Sequence, residues 1–102
     1  MAQVLVLYNQ PSDPAAFDKY YFDTHIHIAK RLPGLRSYKV NSGGLTKIAG
    51  GEAPYLVAEL EFDSMAAIQS ALMSSEGQAT AGDLANFSQA GATVLAFETR
   101  SL

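Results

Sequence analysis

Residues 55–62, Tyr-Leu-Val-Ala-Glu-Leu-Glu-Phe, alternate without interruption: Leu56, Ala58, Leu60 and Phe62 fall on one side, Tyr55, Val57, Glu59 and Glu61 on the other. A period of two commits the stretch to a strand with one buried face, because successive side chains point to opposite sides of a sheet. Residues 3–8 (Gln-Val-Leu-Val-Leu-Tyr) and 93–99 (Thr-Val-Leu-Ala-Phe-Glu-Thr) read as strands too, as do residues 35–40, which pair with 55–62 as a hairpin across a Gly-rich loop. Between the strands the period changes. Ser12-Asp13-Pro14 supplies an N-cap and a first-turn proline, and Phe17, Tyr21, Thr24 and Ile28 follow at helical spacing until Pro33-Gly34. Asp63 or Ser64 caps a second helix carrying Met65, Ile68 and Leu72. Ser75 and Gln78 form a capping-box pattern opening a further segment with Thr80, Leu84 and Phe87, and Gly91 ends it. The order is βαββαβ, which predicts an α+β, ferredoxin-like sandwich with both helical stretches on one face of four antiparallel strands.

That layout leaves the other sheet face uncovered. It would hold Val57 and Tyr55, either Val4, Val6 and Tyr8 or Leu5 and Leu7, and either Leu95 and Phe97 or Val94 and Ala96. A contiguous apolar patch of this kind marks an interaction surface. At about 25 cal/mol per Å2, covering several hundred Å2 is worth on the order of 10 kcal/mol before the costs of association. A second copy of the same sheet is the simplest cover, so a homodimer through the open face is expected. Glu59 falls on this face, where an exposed edge position accounts for it without a buried partner.

A chain of 102 residues provides one core, hence a single domain over residues 1–102. Absence of cysteine excludes disulfides, thiolate metal sites and cysteine nucleophiles, and fits a cytoplasmic setting. The N-terminal apolar run is too short for a leader or a membrane span. Seven Lys and Arg against ten Asp and Glu form no basic stripe, so nucleic acid is not an expected partner. No Gly-rich phosphate cradle is present. An apolar or aromatic small molecule remains as the expected ligand, with no cofactor.

The two histidines, His25 and His27, lie two apart in Tyr-Tyr-Phe-Asp-Thr-His-Ile-His. On a continuous helix that spacing turns them about 200° from each other, whereas two ligands for one ion need a spacing of three or four. No metal pair is expected. Relative to the stripe of Phe17, Tyr21 and Ile28 they border opposite sides, and His27 is assigned to the surface or a dimer edge. His25 either fixes the helix end through a backbone carbonyl or handles a proton, with Tyr21 one turn back as its neighbour.

Two motifs make the sequence resemble the EthD family, named for ethyl tert-butyl ether degradation, of the dimeric α/β-barrel superfamily. The first is Phe17, Tyr20, Tyr21 and His25 followed by Leu32-Pro33-Gly34-Leu35. The second is Ser75-Glu76-Gly77-Gln78 with Asp83-Leu84-Ala85-Asn86-Phe87. The resemblance implies a ferredoxin-like fold whose sheets pack into a dimeric α/β barrel, with a cavity in each subunit between sheet and helices. Activities in the superfamily range over cofactor-independent monooxygenases, isomerases, cyclases and haem-degrading enzymes, so fold does not fix function. One position departs from the family pattern: His27 stands where a proline usually follows the histidine, and a proline there would break the helix.

The expected function is binding of an apolar or aromatic molecule in that cavity, in service of oxidative degradation. His25 is the candidate catalytic residue and Tyr20, Tyr21, Asn86 and Phe87 are the candidate ligand contacts. The suited chemistry is proton abstraction from an acidic aromatic or enolisable ligand, with tyrosine or asparagine steadying the anion. A non-catalytic carrier and a haem-handling protein with His25 as axial ligand are the alternatives. Asp83 and Asn86 share a helix face. Either they close the helical segment by turn bonding, or Asn86 reaches the cavity mouth.

Overall fold

A computed structural model describes residues 1–102. Its four strands are β1 (Ala2–Tyr8), β2 (Ser37–Val40), β3 (Leu56–Phe62) and β4 (Ala92–Glu98). They form one antiparallel sheet in the order β2-β3-β1-β4. This is the expected βαββαβ sandwich, and the sheet of the single chain is open.

Register settles which residues face the helices. Ala2, Val4, Val6 and Tyr8 of β1 are buried beside Leu56, Ala58, Leu60 and Phe62 of β3. The opposite face therefore carries Leu5 and Leu7, with Leu95 and Thr93 opposite them on β4 and Phe97 opposite Gln3. It is not uniform. The β1–β4 half is apolar, whereas the β2–β3 half brings Lys39 opposite exposed Glu59, and Ser37 opposite Glu61. Leu95 and Phe97 remain 47% and 41% exposed. Tyr55 corrects the sequence reading: it precedes β3, and its ring meets Phe17 edge-on at 5.4 Å while its hydroxyl donates to Asp18 (2.8 Å). The chain is still outside the ladder at Tyr55, so strand alternation does not assign its side.

The first helical stretch runs as α1 (Pro14–Tyr20), a wide π turn (Tyr21–His25) and α2 (Ile26–Ala29). Asp13 caps it by accepting from the Ala16 N–H. The Ile26 N–H donates to the Tyr21 carbonyl, five residues back. This turn alters the predicted stripe. The buried residues are Phe17, Tyr21, His25 and Ala29, each four apart, while Thr24 and Ile28 are only half-buried. Four residues overshoot one α-helical turn by about 40°, and one wider turn absorbs that excess. His25 thus lies in the middle of the stripe and not on its border. The helix continues through His27, which is exposed, so no break occurs at the position where a proline was expected.

Ser64 caps α3 (Met65–Met73), accepting from Ala67, and leaves Asp63 to pair with Arg36. The next cap is Ser74, one residue before the predicted Ser75. In extended conformation it ends α3 and opens α4 (Ser75–Asp83), its Oγ accepting from the Gly77 N–H at 3.0 Å. Gly77 is where the two helices touch: a Cβ there would sit 2.1 Å from the Ala71 carbonyl oxygen and 2.6 Å from the Leu72 Cα. A 3-10 turn (Leu84–Asn86) follows, and Gly91, at φ +104°, turns the chain into β4. No helix is long and apolar enough to cross a membrane.

Candidate functional site

Between the sheet and the helices lies a cavity of about 340 Å3, within the range of small-molecule sites. Fourteen of its sixteen lining residues are hydrophobic, among them Val4, Val6, Leu60 and Phe62 on the sheet. The lining residues that carry polar groups are His25, Tyr8, Tyr21, Tyr38 and Thr80. Its helical wall includes Leu72, a member of the predicted α3 face that is 45% exposed here.

The wide turn carries His25 into this wall, only 3% exposed, where its Nδ1 donates to Asp83 Oδ2 at 2.8 Å. Asp83 closes α4 and is 6% exposed. A carboxylate at a helix C-terminus opposes the helix dipole and needs other partners. It has three: His25, the Tyr20 hydroxyl (2.6 Å) and the Asn86 amide (3.0 Å), the last two donating to Oδ1. Burial raises the Asp83 pKa, but the Tyr20, Asn86 and His25 bonds outweigh it and hold the carboxyl below its usual range. Burial also pushes His25 below the ordinary imidazole value, and the Asp83 bond offsets this only in part. A neutral imidazole whose Nδ1–H donates a hydrogen bond to a carboxylate keeps a lone pair on Nε2. The result is an oriented base on the wall of an apolar cavity.

The other predicted residues divide between two places. Tyr21 lines the cavity beside His25, with ring centroids 5.3 Å apart. Tyr20, Asn86 and Phe87 line a separate outer groove of about 330 Å3, between the β1–α1 connection and the loop before β4. Two of the three also grip Asp83. Phe87 packs between groove and cavity, against Tyr8, Tyr20, Tyr21 and, at 4.6 Å, His25. Sequence reasoning missed Asp83 as the partner of His25, and Tyr8 and Tyr38 as cavity groups. For Asp83 a signal existed: an acidic residue ending a helix, where only a specific cation or set of donors makes it welcome. No group of three or more His, Asp or Glu side chains is placed to hold a metal ion.

The profile of the EthD domain matches residues 9–91. An uncharacterized 11.0 kDa protein in the thcB-thcC intergenic region of Rhodococcus erythropolis is 37% identical over 97 residues, covering 93% of this chain and 91% of that one. The crystal structure of an ethyl tert-butyl ether degradation (EthD) family protein from Bacillus halodurans superposes with a TM-score of 0.87 at 33% identity, over 98% of this chain and 99% of its own. A dimeric ferredoxin-like protein of unknown function from Jannaschia sp. shares the fold at a TM-score of 0.67 and 20% identity, over 96% and 98% of the two chains. With both motifs inside the matched region and the His25–Asp83 contact joining them, the chain belongs to the EthD family.

Proposed function

We propose that this protein binds an apolar or aromatic small molecule in the cavity and removes an acidic proton from it, with His25 as the base and Asp83 as the residue that orients it. The observation that carries the reading is the 2.8 Å contact between His25 Nδ1 and Asp83 on the wall of an apolar cavity. The contact fixes the tautomer that leaves Nε2 free to accept, and the carboxylate stabilises the imidazolium formed. Tyr20 and Asn86 act through Asp83, holding it ionised. The working unit is a homodimer joined through the apolar β1–β4 half of the open face. Exposed Leu95 and Phe97 support this, as does the dimeric state stated for the Jannaschia protein of the same fold. The family's name supports a place in oxidative degradation of small apolar compounds.

Incubation with β-tetralone in D2O, followed by NMR, tests the proton transfer. Exchange at the acidic C–H positions is expected to be accelerated by the wild-type protein and to fall about 10²–10⁴-fold toward background in His25→Gln. Equal exchange by both proteins would reject catalysis by His25 and leave the carrier, which the apolar lining favours.

A further inference from the structure

Four residues lining the cavity carry hydroxyls, and only one of these hydroxyls has a protein acceptor that is not another tyrosine. Thr80 Oγ1 donates to the Glu76 carbonyl at 2.8 Å. Tyr21 and Tyr38, from the wide turn and from β2, meet hydroxyl to hydroxyl at 2.5 Å. Tyr8, at the end of β1, lines the same cavity. Tyr21 and Tyr38 carry two hydroxyl hydrogens and share one contact, so one hydrogen is left unspent. No carboxylate or carbonyl of the chain accepts from any of the three tyrosines. Burial raises the pKa of all three tyrosines, which keeps them protonated and therefore donors, not bases.

The cavity thus offers an unspent O–H, the lone pair of His25 on the next turn from Tyr21, and otherwise hydrocarbon. We infer that Tyr8, Tyr21 and Tyr38 form the oxygen-recognition element of this cavity, and that its ligands are hydroxyaromatic compounds. The inference rests on the proton-transfer reading and adds the substrate class to it. A phenolic oxygen suits both groups at once: its hydrogen goes to His25, and its lone pairs accept from the tyrosines. On transfer the ligand O–H bond breaks, the proton moves to Nε2 and the electron pair stays on the oxygen. The new anion then faces a neutral donor, while the imidazolium faces Asp83. Hydrogen bonds to charged oxygen are the stronger kind, so the tyrosines favour the ionised ligand over the neutral one.

Binding of para-nitrophenol and of its near-isostere para-nitrotoluene to the intact protein tests this, with the visible band of the nitrophenolate reporting ionisation. The wild-type protein is expected to prefer the phenol by about tenfold or more, and to hold it ionised at a pH where the free compound is largely neutral. Tyr21→Phe and Tyr38→Phe should bring the two affinities within about twofold without weakening nitrotoluene binding, and Tyr8→Phe serves if either fails to fold. His25→Gln should lose the nitrophenolate band but keep a tyrosine-dependent preference for the phenol. A preference unchanged by the tyrosine substitutions, or no binding of the phenol by the wild type, overturns the recognition role. A nitrophenolate band that survives His25→Gln overturns the proton-transfer reading and leaves the tyrosine result to be judged by itself.

Discussion

The two faces of the sheet meet opposite fates. On one, Val4, Val6, Leu60 and Phe62 lie under helices of the same chain, and the few polar groups among them are tied to one another. No buried side-chain nitrogen or oxygen lacks a partner. On the other, Leu5, Leu7, Leu95 and Phe97 have no helix above them, while Lys39, Glu59 and Glu61 keep the far half hydrophilic. The covered face is specified within one chain, by aromatic packing and by a His–Asp contact that tolerates little displacement. The open face is marked by area and by a polarity gradient, and the proposed dimer would use its apolar half. The proposed ligand chemistry belongs to the first, and the proposed assembly to the second.

The sharpest challenge to this division is Phe87→Ala. Phe87 packs against Tyr8, Phe17, Tyr20, Tyr21 and His25, so its truncation should cost about 3–5 kcal/mol in urea unfolding at fixed protomer concentration. A loss below about 1 kcal/mol would show that the covered face is not centred there. Leu95→Glu tests the other side. It should raise the dimer dissociation constant by about a hundredfold (roughly 2.7 kcal/mol), since twofold symmetry counts the change twice. Sedimentation should then show a folded monomer with native circular dichroism, whereas an unchanged dimer would place the association surface elsewhere.

Gly77→Ala should cost about 1–3 kcal/mol in thermal or urea unfolding, because α3 and α4 must part to admit the methyl group. The pH dependence has a definite sign. His25 and Asp83 both titrate below their ordinary values in the folded state, so the unfolded chain binds more protons and stability rises with pH. The His25 contribution is complete above about pH 6.5 and is lost as pH falls from there toward its lower folded value. The Asp83 contribution is lost further down, below about pH 4. The urea midpoint should therefore drop between pH 7 and 5 in the wild type and drop less in His25→Gln. Smallest of all, Arg36→Ala should leave the thermal midpoint unchanged, because its pair with Asp63 is exposed.

Where local rules are strong, the fold was readable without coordinates. Alternation in β3, the proline-led start of α1 and the Gly91 turn each have a short-range cause that tertiary packing did not override. The failures are equally physical. Nothing in Tyr21–His25 distinguishes a wide turn from an ordinary one, because the choice is made by which side chains the sheet will accept. His25 could be singled out as a candidate from its type and its tyrosine neighbours. Its partner Asp83 was not, since the pair is separated by 58 residues and only the α3–α4 corner brings the two together. The grouping of three tyrosines on the cavity was hidden for the same reason. Tyr8, Tyr21 and Tyr38 come from a strand end, a helix and a short edge strand, and each by itself reads as packing.

The wide turn after Tyr20 works as a one-residue offset in the thread of the helix. Removing a residue from it would rewind that thread and swing everything downstream by about a quarter of a revolution relative to Phe17. Relatives that differ only by such an indel could keep the same sheet, caps and outer surface, yet turn a different side chain toward the cavity. In this architecture chain length, as much as residue identity, can select which group lines it.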